Sequence, residues 1–134
     1  MAFKIIFITV YYMYNTLVFG VIILLIDLPW IYNYMAPLYK TLFKKLNMTL
    51  QGNVIGAILA YSAMILSFLL LFEDKNKNIM LKRAAALGFT IYGTYAFTLH
   101  TIMPKYDMKI ALTETIWGTL LYLVATKLTI MFTN

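Results

Sequence analysis

The sequence predicts an all-α polytopic membrane protein, a single domain over residues 1–134 with four transmembrane helices and a short amphipathic interfacial helix after the first. Three observations carry this. Hydrophobic residues make up 63% of the chain and charged residues 12%, whereas a soluble domain is about a quarter charged and about half apolar. The mean hydropathy is +0.81 in a chain of only 15.5 kDa, and so small a globule has too little interior to hide that much apolar surface. The apolar residues fall into four runs, residues 5–28, 54–72, 84–103 and 110–132, parted by charged or proline-containing breaks. A run of about 20 residues crosses roughly 30 Å of hydrocarbon. Lipid is the solvent this chain requires.

The first run is longer than the roughly 7–15 apolar residues of a signal peptide, and no A-x-A-like site follows it, so it reads as a retained span. Tyr11, Tyr12 and Tyr14 lie in its middle, with Asn15 and Thr16 beside them as polar groups for a neighbouring helix. Pro29 is expected to stop or kink the helix, because its ring removes a donor and crowds the preceding turn. Trp30, Tyr32 and Tyr34 follow as an aromatic belt.

The connection over residues 29–51 contains APLYKTLFKKLNM, which places Leu38, Leu42 and Phe43 or Leu46 on one face and Lys40, Lys44 and Lys45 largely elsewhere. Pro37 suits a helix's first turn. The expectation is a basic amphipathic helix on the lipid headgroups, with the three lysines as its contacts. Asn47-Met48-Thr49 is a glycosylation sequon only formally.

Gly52, Gly56 and Ala60 recur every fourth residue at the start of the second span, a row that permits close helix approach. A polar loop, EDKNKN, is expected in water after it. The third span is the most polar. It carries Gly88 and Gly93 for close contact, Thr90, Thr94, Thr98 and Thr101 at helical spacing, and Tyr92, Tyr95 and His100. Lipid offers such groups nothing, so they are expected to face other helices. Pro104 ends this span. The fourth carries Glu114, Trp117 and Gly118 near its start, and Lys127 near its other end, where it can snorkel.

The formal net charge is +6, but the basic residues sit at span ends and in loops, which points to headgroups and not to nucleic acid. There is no cysteine and one histidine, which excludes thiol catalysis, disulfides, thiolate metal sites and multi-histidine metal sites. No metal or other cofactor is expected. Basic residues divide almost evenly between the two sides, with a slight lean toward termini inside.

Two acids lie deep in apolar runs, Asp27 in LIDLPW and Glu114 in TETIWG. An ionisable group there costs roughly 2–3 kcal/mol or more unless it is paired, protonated or facing water. Four spans bring the ends of the first and third to the membrane face where the fourth begins. Asp27, His100 and Glu114 therefore share one level, and with Tyr95, Thr98 and Trp117 they form the candidate polar site. A purely structural reading stands beside it. Asp27 could accept a bond from Trp30, His100 could be a packing residue, and Glu114 could be a first-turn acid favoured by the helix dipole.

The stretches LIDLPWIYNYMAPLYKTL, YGTYAFT and ETIWG resemble a four-span family of predicted membrane proteins of unknown function, found in bacteria, algae and large DNA viruses. Asp27 and Trp30 match its acid before a tryptophan. Tyr92, Gly93, Tyr95 and Thr98 match a YGxYDxTN-like stretch, and Glu114, Trp117 and Gly118 match its acid before Trp-Gly. Ala96 and Leu99 stand where the family has an acid and an asparagine, with His100 one turn beyond Ala96 on the same face. The resemblance implies the architecture and no activity.

The function expected from the residues is a non-catalytic accessory or scaffold subunit of a membrane complex, with membrane lipids and protein partners or further copies of itself around it. The alternative is a small oligomeric transporter or pore using Asp27 and Glu114 as an intramembrane cation or proton site. No enzyme is expected, because no nucleophile or metal constellation is legible.

Overall fold

A computed structural model describes residues 1–71 and 76–133, and all regular structure among them is helical. The first helix, α1, runs over Ala2–Trp30. It does not end at Pro29. The chain passes through a π-helical turn, Ile31–Met35, straight into α2, Ala36–Lys45, so that Ala2–Lys45 is one rod of 44 residues. The wide turn begins two residues after Pro29 and continues the helix without a stop. The Ile31 amide donates to the Asp27 and Leu28 carbonyls, and Asn33 Nδ2 donates to the Pro29 carbonyl at 2.8 Å. Proline-associated π turns re-satisfy the backbone without stopping the helix.

The amphipathic pattern of α2 is present: Leu42 is buried while Lys40, Thr41, Lys44 and Lys45 are exposed. Its apolar side is covered by protein, which leaves the three lysines on the outer side. Leu42 joins Ala96, Tyr106 and Ala111 in a cluster flanked by Tyr39, Phe97 and Met103. The Lys105 ammonium donates to the Lys45 carbonyl at 2.9 Å, a cation on the negative end of the α2 dipole. The stop is a Schellman turn. Asn47 takes a left-handed φ of 55°, the Met48 amide reaches the Phe43 carbonyl at 2.9 Å, and the Asn47 amide reaches Lys44 at 3.1 Å.

Helix α3, Val54–Leu66, starts at Asn53, whose side chain accepts from the Gly56 amide at 3.1 Å. Ser67 separates it from the short α4, Phe68–Leu71. Helix α5, Lys77–Ile102, is capped by Asn76, so Lys77 and Asn78 are helical and not part of a loop. Residues 73–75 of the expected loop, and Phe72 at the end of the second run, lie outside the described residues. Helix α6, Met108–Thr133, follows a tight turn in which Asp107 Oδ1 accepts from the Lys109 amide at 3.0 Å. Among the described residues, three helices are long and apolar enough to cross a membrane: Ala2–Lys45, Val54–Leu71 and Met108–Thr133. Helix α5 matches α6 in length, 26 residues, but is less apolar.

The core is built on α6, which packs against both α5 and α1. Phe19, Ile22 and Ile23 of α1 meet Phe68 and Leu71 of α4, Met80, Ala84 and Tyr92 of α5, and Leu121, Tyr122 and Ala125 of α6. Phe19 and Phe68 stack with centroids 4.5 Å apart. Gly88 and Gly118 set the α5–α6 distance. A Cβ on Gly118 would land inside the Tyr92 ring, and one on Gly88 would strike the Gly118 carbonyl and come within 2.9 Å of Tyr122 Cβ.

Several polar and small residues take other places than their spacing suggested. Thr90, Thr94, Thr98 and Thr101 are exposed. Thr90 and Thr101 donate to the carbonyls of Ala86 and Phe97 in their own helix, at 2.7 and 2.8 Å. A hydroxyl satisfied four residues back needs no partner helix, so a threonine row is compatible with an outward face. The most buried long helix is α6, not α5. Asn15 and Thr16 are buried, and each donates to its own helix at 2.7 and 2.8 Å. Gly52 has open space where a side chain would go, and Gly56 would meet only its cap, Asn53, at 3.8 Å. This row makes no seam within the chain. Gly93 has ordinary contact with Thr115 Cγ2 at 3.4 Å.

Substituting Gly118→Ala is therefore expected to cost about 3 kcal/mol or more, at or above the top of the usual overpacking range. Gly56→Ala is expected to be neutral or to stabilise by up to about 1 kcal/mol. Thermal unfolding of both variants in the same detergent measures the contrast.

Candidate functional site

The two acids that lie deep in apolar runs, Asp27 and Glu114, line one cavity. It has a volume of about 650 Å³ and opens between α3 on one side and the α1–α2 rod, α5 and α6 on the other. Asp27 comes from the last turns of α1 and Glu114 from the second turn of α6. They are 2% and 4% exposed, so water does not solvate them and the protein must. Helix α3 supplies Ala57, Ala60 and Ala63 to the wall. Ala60, spaced as if for a helix seam, instead makes room.

Asp27 is held by three helices. Oδ1 accepts from Trp117 Nε1 at 2.8 Å, and Oδ2 accepts from the Tyr61 hydroxyl at 2.8 Å and the Tyr92 hydroxyl at 3.4 Å. The donor is Trp117 of α6, not the neighbouring Trp30. Trp30 instead stacks on Trp117, with centroids 4.1 Å apart and planes 8° from parallel. Its Nε1 is buried with no acceptor among the described residues.

Glu114 is held by α2 and by the turn before α6. Tyr39 donates to its two oxygens at 3.1 and 3.2 Å, and Tyr106 donates to Oε2 at 2.5 Å. Tyr95 lines the same cavity. Burial pushes the Tyr106 hydroxyl above the usual tyrosine range, and its bond to Glu114 adds to the shift. The folded state thus holds this proton more tightly than the unfolded chain. The resulting stability is complete below the ordinary tyrosine value of about 10 and is lost as pH climbs through the raised one.

His100 does not line the cavity. Its Nδ1 donates to the Tyr106 carbonyl at 2.7 Å; a carbonyl only accepts, so this nitrogen carries the proton. His100 thereby fixes the turn that aims Tyr106 at Glu114. Of the six candidate residues, Asp27, Glu114, Tyr95 and Trp117 line the cavity, His100 stands behind it, and Thr98 is exposed on the outer face of α5. Ala96 is fully buried beside Tyr106 and Ala111.

Sequence reasoning missed Tyr39, Tyr61 and Tyr106. A signal was available for Tyr39, which lies one residue from Leu38 at the edge of the apolar face of α2. Tyr61 and Tyr106 carried none. Among the described residues, Asp27 and Glu114 are the only charged residues on the cavity, and their hydrogen-bond partners are all neutral phenols or an indole. No group of three metal-ligating side chains exists among the described residues. The arrangement can hold a positive charge or a proton in a wall that is otherwise aromatic and aliphatic.

A family model described as a predicted membrane protein (DUF2177) matches residues 7–131. No curated protein and no solved structure matches the chain.

Tyr106→Phe keeps the ring in its cluster and deletes the donor to Glu114. It is expected to lower stability by about 1–2 kcal/mol, read as a lower thermal midpoint at neutral pH. Tyr32→Phe, at an exposed ring, is expected to change nothing measurable.

Proposed function

Because the chain belongs to the DUF2177 family of predicted membrane proteins, we propose that it is an integral membrane protein that binds a cation or proton between helices, at Asp27 and Glu114, as a small carrier. One observation supports this above all. Two carboxylates share a cavity with neutral donors alone. Hydrogen bonds from phenol and indole groups stabilise a carboxylate, but they do not cancel its charge. Two uncompensated charges inside a helix bundle are costly, and an entering cation or a proton removes that cost. The groups facing Glu114 are Tyr39, Tyr95 and Tyr106, and those facing Asp27 are Tyr61, Tyr92 and Trp117. None is a base or a fixed cation.

A second reading, the accessory subunit, is favoured by a different feature. Residues 54–60 of α3 are all exposed, Val54, Ile55, Ile58 and Leu59 among them, along with the small-residue row. A further copy or a partner helix could cover that face. The two readings are compatible in an oligomeric carrier.

Infrared difference spectra of the protein in lipid nanodiscs test the carrier reading. Stepping the pH from about 4 to 9, a range that brackets ordinary and perturbed carboxyl groups, is expected to reveal a protonated carboxyl band. That band should disappear in Asp27→Asn or in Glu114→Gln. No pH-dependent carboxyl band from either residue would reject the reading.

A further inference from the structure

We infer that the cavity binds an organic ammonium ion with an apolar body, its cationic head between Asp27 and Glu114 and its body against α3. The inference rests on the cation-site reading and names the class of cation. Size is the first argument. A volume of about 650 Å³ is that of a site for an organic molecule, since such pockets run from roughly 300 to 1,000 Å³. A bare metal ion would fill a small part of it.

The donor set is the second argument. Calcium and magnesium need roughly six or more converging oxygens. Here the carboxylate oxygens already receive O–H and N–H donors, and no third acid lines the cavity among the described residues. An alkylammonium makes no such demand. It needs negative charge nearby and tolerates apolar and aromatic neighbours, whose ring faces attract it. The wall provides Trp30, Trp117, Tyr39, Tyr61, Tyr92 and Tyr95 for the head, and Ala57, Ala60, Ala63 and Met64 for the body.

Access is the third. Ile31, Leu50 and Tyr95 line the cavity and are also 40%, 40% and 37% exposed. These residues mark an opening on the side of the bundle, where a membrane-dissolved amphiphile arrives. The charge pattern discriminates as well. Lys40, Lys44 and Lys45 stay on the outside of the bundle, and among the described residues no lysine or arginine lines the cavity. An anionic ligand would find no cation there.

The chain contains two tryptophans, and both line this cavity. Tryptophan emission therefore reports on the site alone. The test titrates benzyltrimethylammonium into the protein in nanodiscs of zwitterionic lipid, beside its neutral isostere neopentylbenzene and beside sodium chloride at matched ionic strength. Saturable emission change with the ammonium alone is expected, weakened about tenfold or more in Asp27→Asn and in Glu114→Gln, as when one partner of a desolvated charge pair is removed. Lys44→Gln should bind unchanged.

Equal binding of neopentylbenzene would overturn the inference, and that comparison needs no variant to fold. So would ammonium binding that persists at full strength in both acid variants. If the carboxyl band titrates but the ammonium gives no saturable signal, the inference falls and the proton-site reading stands. If neither appears, both fall.

Discussion

A carboxylate moved out of water must recover its lost solvation from fixed donors, a charge or a proton. The fold solves the first part of that problem twice, and most of its packing follows from the solution. Asp27 draws donors from α3, α5 and α6, and Glu114 draws them from α2 and the turn before α6. Every long helix therefore contributes at least one phenol, indole or acid to the same cavity. Loss of one donor loosens a contact between two helices as well as a hydrogen bond.

The seam between α5 and α6 makes this geometry possible. Tyr92 reaches Asp27 only because Gly118 leaves room for its ring, and the backbones approach only because Gly88 faces the Gly118 carbonyl. Two glycines thus place the donor of one helix over the acid of another. On the opposite wall, the alanines of α3 keep that helix from filling the space. Small residues serve closeness on one side and emptiness on the other.

Much of the architecture was legible in the sequence, because hydrophobic runs and their lengths are set by the bilayer. Asp27 and Glu114 were legible for the same reason, since an acid in an apolar run is conspicuous, and chain direction alone placed them at one level. Their donors were not. Tyrosine is common here, 11 of 134 residues, and nothing local separates Tyr61 or Tyr106 from Tyr14, which is 53% exposed. The threonine row of α5 misled because a hydroxyl can be satisfied within its own helix, as those of Thr90 and Thr101 are. Pro29 did not stop the helix, which leaves regular winding just after it and runs on through a π turn. The small-residue row of α3 misled because spacing specifies a smooth face and not what fills it.

The unbroken rod from Ala2 to Lys45 carries one acid of the cavity before the π turn and a donor to the other acid after it. Asp27 lies just before that turn, and Tyr39, the donor to Glu114, lies just after it. Each residue of helix advances the azimuth by about 100°, so the turn works as a phase setter between the two. The π turn takes up one extra residue at little change of azimuth, so a residue inserted into the regular helix between Asp27 and that turn would swing Tyr39 and Leu42 away from Glu114 and their cluster. For this stretch, the count of residues matters more than their identity.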